Sequence, residues 1–209
     1  MPDAVPMARN RADFCRFLAA CYYEPTQLFV DEKLFDSMAA AAAGIGAELA
    51  ASAQRLGELF TSERLEELLL DYSRLFLGPN NILAQPYGSV WLDREKKLMQ
   101  DSTVQVLELY KEGGFELSED FRELPDHIAA ELEFLYLLIY REGEAQASSD
   151  HANAGKARQL RQRFLREHLG RWIGPFTQAM QQGAESGFYA ELATVTREFL
   201  EIEQGAERP

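Results

Sequence analysis

Cysteine is nearly absent from this chain, and so are the marks of a stapled, membrane-spanning or catalytic protein. Only Cys15 and Cys21 occur in 209 residues. Six helical positions set them about 120° apart, so they share no face. They form no CxxC pair and no metal-ligand cluster, and read as reduced core or near-core residues. No apolar run reaches the roughly 18–20 residues that a membrane helix needs. The opening MPDAVPMARNRADF holds no stretch suited to a secretory signal, so a cytoplasmic protein is expected. Positive charge is scarce as well. Lys and Arg number 21 against 34 Asp and Glu, a net charge of −13. Affinity for nucleic acid comes from cations placed on phosphates, and this balance has the wrong sign for it. It suits a cationic peptide, although acidity that serves only solubility accounts for the charge equally simply.

Catalytic patterns are missing too. There is no GxxxxGK[ST] and no GxGxxG to cradle phosphate. Three histidines are present, His127, His151 and His168, none of them in HExxH. His127 and Glu131 stand four apart on one helical face, a spacing that suits two metal ligands. No second pair completes such a site, so a hydrogen-bonded pair near a helix start is the expected reading and no metal is assigned. Ser73, Ser89 and Ser102 lack a nucleophile-elbow context. No enzyme activity and no cofactor are expected from these residues.

What is present is helical periodicity. Hydrophobic residues make up 46% of the chain, enough for one substantial core. Phe14, Phe17, Leu18 and Cys21 form a buried stripe that Pro25 ends. Leu34, Phe35 and Met38 lead into an alanine tract broken by Gly44 and Gly46. Leu65, Leu68, Leu69, Tyr72 and Phe76 form the next stripe, stopped at Gly78-Pro79. Residues 77–87 read as a loop, and Ser89 as the N-cap of a helix running to Gly113-Gly114. Pro125 and Asp126 open the most apolar helix, with Ile128, Leu132, Leu135 and Ile139 on one stripe and Phe134, Leu137 and Leu138 on other faces. The segment from Glu142 to Gly155 is small and polar, an exposed linker or hinge that weakly divides 1–141 from 156–209. Beyond it lies a basic helix whose Lys156, Arg158, Arg161, Arg163 and Arg166 scatter around the wheel and pair with nearby acids. Trp172, Ile173 and Phe176 surround a break at Gly174-Pro175, and Phe188, Leu192, Val195, Phe199 and Ile202 line the last helix. No alternating strand pattern and no repeat appear, so the expected fold class is all-α, a single compact helical bundle.

Two places combine polar groups with large apolar ones at a helix start: 86–93, PYGSVWLD, and 125–127, PDH. Aromatic area beside carboxylates suits an amphipathic peptide carrying arginine. The same residues also read as structure, with Tyr87 and Trp91 in the core and Asp126 complementing a helix dipole.

At these residues the sequence resembles the TorD/DmsD/NarJ family of redox-enzyme maturation chaperones. YSRLFLGP (72–79) followed by PYGSVW (86–91) is similar to one family block, and LPDHIAAELEFL (124–135) to its E-P-D-H-[IV]-xx-E-L-x-F signature. Phe164, His168, Leu169, Trp172, Phe176, Tyr189 and Leu192 resemble its C-terminal pattern. Leu124 departs from it, standing where the signature carries an acid, with Glu123 beside it. The resemblance implies a TorD-like bundle and a cytoplasmic chaperone for a molybdopterin-dependent oxidoreductase. Such a chaperone binds the twin-arginine leader of its client, holds the client back from export and supports cofactor insertion. It further implies Tyr87, Ser89, Trp91, Asp126, His127 and Glu131 as peptide-binding residues, and a monomer or a domain-swapped dimer hinged at 142–155. A NarJ-like chaperone for a non-exported client and a guanine-nucleotide-handling protein are the other readings.

Overall fold

The computed structural model describes residues 4–78, 82–95, 97–118 and 120–205. Pro79 of the first motif block, and 79–81 of the expected loop, lie outside the described residues. Among the described residues eleven α-helices follow one another in the order α1 (Ala4–Ala20), α2 (Leu28–Asp31), α3 (Leu34–Ala43), α4 (Ala47–Ser62), α5 (Leu65–Tyr72), α6 (Gly88–Leu92), α7 (Asp101–Gly113), α8 (Ile128–Ala147), α9 (His151–Phe164), α10 (Gly170–Gly183) and α11 (Gly187–Gly205). Two π-helical turns extend this framework, Ser73–Leu77 after α5 and Leu165–Leu169 between α9 and α10. No strand forms among the described residues; Tyr87 and His127 make one isolated antiparallel bridge.

Helix α8 lies in the middle, packed against α1 on one side and α9 on the other. Its Ile128, Leu132, Phe134, Leu135, Leu138 and Ile139 are all buried, as expected for a helix apolar on several faces. Phe14 and Leu18 of α1 are fully buried, whereas Phe17 stays partly exposed beneath the Arg16 guanidinium. Phe188, Leu192, Val195 and Phe199 of α11 are buried, and Ile202 at its end is 36% exposed. Cys15 and Cys21 are both buried and free. At the end of α7, Gly114 adopts φ +58, the left-handed C-cap conformation that glycine takes without a Cβ clash.

Local structure departs from the sequence expectation at four points. The 142–155 segment is mostly helical: α8 continues to Ala147, α9 starts at His151, and the break narrows to Ser148–Asp150. Asp150 caps α9 by accepting from the Asn153 amide at 3.1 Å. Polar composition misled there because Glu142 is itself buried and ion-paired. Ser89 lies inside the short α6 rather than capping a long helix, and α7 begins only at Asp101. Pro125 and Asp126 precede α8, whose N-cap is His127. Pro175 breaks nothing, since α10 runs through it and Arg171, whose carbonyl loses the proline's donor, is exposed.

Arg158, Arg161, Arg163 and Arg166 pair with acids as expected, whereas Lys156 forms no salt bridge among the described residues, and some of those acids are deep inside. Arg161 donates to Glu142 at 3.2 Å and to Glu203 at 3.1 Å. Arg11 of α1 holds the other side of Glu203 at 2.6 and 2.5 Å, and Arg158 holds Glu142 at 2.7 Å. Glu203 is completely buried and Arg161 is 3% exposed, so this chain of charges ties α1, α8, α9 and α11 together inside the protein.

Candidate functional site

The two motif blocks meet. The Ile128 amide donates to the Pro86 carbonyl and the Gly88 amide to the Asp126 carbonyl, both at 2.8 Å. This short pairing clamps the entry of α6 to the entry of α8. The Asp126 carboxylate, fully buried, accepts from the Ser89 amide at 2.8 Å and so satisfies a donor at the start of α6. Its dipole partner is therefore α6 and not the helix that follows it in sequence. Asp126 Oδ1 and Ser89 Oγ, both buried, have no hydrogen-bond partner among the described residues.

His127 caps α8 by accepting the Ala129 amide on Nδ1 at 3.2 Å. That bond needs the Nδ1 lone pair, so the proton of the neutral ring sits on Nε2. Burial lowers the His127 pKa to about 4, against the opposing charges of Glu123 and Asp126. The sign follows directly: the unfolded chain, with a histidine near 6.5, takes up the proton first as pH falls. Stability is therefore lost between about pH 6.5 and pH 4, by roughly 2.5 kcal/mol at pH 4.5. His127→Asn keeps a side-chain cap without the titration. Urea unfolding at pH 7 and pH 4.5 is expected to show a smaller acid loss in this variant; equal losses would contradict the assignment.

Glu131 does not pair with His127. It is fully buried and reaches inward, accepting Trp172 Nε1 at 3.1 Å and lying 2.8 Å from His168 Nε2. Burial raises the Glu131 pKa, although His168 and Trp172 pull the other way. For His168 burial opposes the charged form, and Glu131 overrides it, leaving its pKa raised. The two behave as one buried proton-sharing pair. Gly88 rests on this group: a Cβ there would come within 3.0 Å of Glu131 Oε1 and 3.1 Å of Trp172 Nε1.

Toward the surface the chemistry changes. Tyr87 Oη, on a half-buried ring, donates to Glu123 Oε2 at 2.6 Å, and the ring meets His127 edge-on at 5.3 Å. Tyr23 Oη donates to Glu133 Oε1 at 2.9 Å. Burial and then these carboxylates raise both phenol pKa values. Burial likewise raises the Tyr72 pKa, and the charge of Glu123 adds to the shift at all three phenols. Trp91 is partly buried, donates Nε1 to the Gln85 carbonyl at 2.8 Å and packs on Phe176.

Of the six residues singled out from sequence, Tyr87, Ser89, Asp126 and His127 converge directly, and Glu131 joins them beneath Gly88. Trp91 lies on the next turn of α6. Ser89, Asp126 and Glu131 are wholly interior, so within this conformation they shape the site and leave its surface to others. Tyr23 and Trp172 are contributors that spacing did not reveal, because each acts from a distant part of the chain, and Glu133, inside the second motif block, is marked only by its bond to Tyr23. Among the described residues no group of three or more His, Cys, Asp or Glu is placed to hold a metal ion, and no helix is long and apolar enough to cross a membrane.

Residues 39–178 match the model of the nitrate reductase delta subunit family. Over 150 residues the chain is 32% identical to the chaperone protein TorD of Aliivibrio salmonicida, covering 71% of this chain and 68% of that one. The chain belongs to this family. The resemblance of the two motif blocks to TorD/DmsD/NarJ proteins is thereby borne out. The Tat proofreading chaperone DmsD of Salmonella typhi is another relative of this TorD-family chain, 31% identical over 139 residues, with 66% and 61% of the two chains covered. TorD of Vibrio parahaemolyticus is 30% identical over 138 residues, covering 66% and 62%. The matched region thus spans about three fifths of these last two relatives. A crystal structure described as a redox enzyme maturation protein from Archaeoglobus fulgidus superposes with a TM-score of 0.58 at 22% identity, covering 91% of this chain and 93% of that one. That likeness concerns the fold, and it bears out the all-helical expectation.

Proposed function

We propose that this TorD-family chain is a cytoplasmic chaperone, without catalytic activity of its own, for a molybdopterin-dependent oxidoreductase. It binds the client's N-terminal twin-arginine leader, delays export and assists cofactor insertion. The observation that carries this reading is the pair of tyrosine–carboxylate hydrogen bonds, Tyr87–Glu123 and Tyr23–Glu133, beside the clamped motif blocks. Glu123 and Glu133, each already held by a tyrosine hydroxyl, offer remaining lone pairs to guanidinium groups in a bidentate geometry that ammonium does not match. Relatives named as Tat proofreading chaperones support the same class of partner. Asp126, Ser89 and Glu131 act from beneath by fixing Tyr87 and His127, a positioning role in place of direct contact with arginine.

Titration calorimetry of the full chain tests this with three peptides: a twin-arginine leader, its Lys-Lys version and one with a scrambled apolar centre. The twin-arginine peptide is expected to bind at least tenfold more tightly than either control. Glu123→Gln is expected to remove most of that preference, since a neutral amide offers one acceptor where the carboxylate offers two. Equal binding of all three peptides rejects leader recognition.

A further inference from the structure

The five cations of the basic helix divide into two sets once the fold is known. Arg158 and Arg161 turn toward the buried Glu142 and Glu203. Lys156, Arg163 and Arg166 face the opposite way, lining two adjoining hollows of about 520 and 320 Å³ between α9 and the ends of α7 and α8. The hollows share Lys156, Leu160 and Glu112 and so form one valley. Arg141 of α8 joins the rim, its guanidinium anchored on the Gly113 and Gly114 carbonyls. Four cations therefore line the valley; Arg163 pairs with Glu112 and Arg166 with Glu167, while Lys156 and Arg141 face no carboxylate partner among the described residues. Lys156 is exposed and forms no salt bridge among the described residues. The floor is apolar, formed by Leu138, Ala157 and Leu160.

We infer that this valley docks an acidic, amphipathic segment of a partner protein. Charge complementarity selects the occupant. On a chain of net charge −13, an acidic partner is repelled over most of the surface and attracted here. Spacing argues for a segment rather than a small anion. Lys156 and Arg166 are ten residues apart, about 15 Å along a helix, too far to converge on one phosphate. A helix or extended strand with carboxylates along one edge and aliphatic side chains along the other matches both rim and floor. This groove is lined by none of the residues of the Tyr87–Glu123 site, so the two can be altered separately.

Fluorescence anisotropy on the full chain tests the groove. The probe is a labelled 16-residue peptide with glutamates on one helical face and leucines on the other. Comparisons are polyglutamate of equal length and inorganic phosphate as competitor. Lys156→Glu with Arg166→Glu removes the rim charge, and Arg9→Glu with Arg64→Glu makes the same change in net charge elsewhere. The amphipathic peptide is expected to bind the parent and the control pair, more weakly as salt rises, and at least tenfold more weakly to the rim pair. Twin-arginine leader binding is expected to persist in the rim pair, which keeps this test separate from that of leader recognition. Equal binding to both charge pairs overturns the proposal, as does polyglutamate matching the amphipathic peptide. Displacement by millimolar phosphate overturns it in favour of a small-anion site.

Discussion

Glu203→Ala is expected to lower the unfolding free energy by about 3–5 kcal/mol, enough to shift Tm by roughly 10 °C. The carboxylate is fully buried and is the shared acceptor of Arg11 and Arg161. Its removal leaves Arg11 without its carboxylate and Arg161, 3% exposed, with Glu142 as its remaining buried partner. The loss comes chiefly from stranded charge, because an intact buried ion network is itself only modestly stabilising against its desolvation cost. Glu203→Gln should fall between, since the amide keeps the shape and one acceptor. The exposed Lys97–Glu95 pair makes the contrast: Glu95→Ala should leave stability unchanged within error, as solvent screens both partners. Urea unfolding followed by circular dichroism measures all three. A change below about 1 kcal/mol for Glu203→Ala would mean that water reaches the network and resolvates the arginines.

The second large effect is expected at Glu131, where stability and leader binding should fall together. Glu131→Ala deprives Trp172 Nε1 and His168 Nε2 of their acceptor in a place closed to solvent, and opens a cavity under Gly88. Unmet buried donors and the lost volume together predict a cost of about 3–5 kcal/mol. Glu131→Gln should cost much less. Its amide oxygen still accepts from Trp172, and its amide nitrogen can donate to His168 Nε2 once the imidazole moves its proton to Nδ1. Leader affinity is expected to follow the same order, at least tenfold weaker for alanine and nearly retained for glutamine. Unfolding and calorimetry on both variants check it. Identical stabilities would show that neither the two hydrogen bonds nor the filled volume contributes to folding.

Periodicity was sufficient for the helical bundle because Phe14, Leu132 and Phe188 belong to stripes whose spacing is a local property. Boundaries failed where tertiary partners decided them. Glu142 looked like solvent-facing linker chemistry until Arg158 and Arg161, 16 and 19 residues on, drew it inside. Asp126 sits where a first-turn acid belongs, yet its carboxylate serves Ser89, 37 residues earlier. The pairing of Glu131 with His168 and Trp172 crosses 37 and 41 residues, and no spacing rule on one helix reveals it. The site was legible as two motif blocks, and the sequence resemblance brought them together. Which of their residues face solvent was not legible, because burial depends on α10 closing over α6.

The π-helical turn Leu165–Leu169 has a consequence for how such a site can change over evolutionary time. Each residue added to or removed from a helix rotates everything beyond it by about 100°. His168 lies within this wider turn and Trp172 one turn past it, and both must point at one carboxylate. A single-residue deletion that restored a regular helix would leave every side chain of α10 in place in the sequence and turn Trp172 away from Glu131. The meeting of these three groups is thus encoded in a count of residues as much as in their kinds. Point substitutions cannot repair a slip in that count.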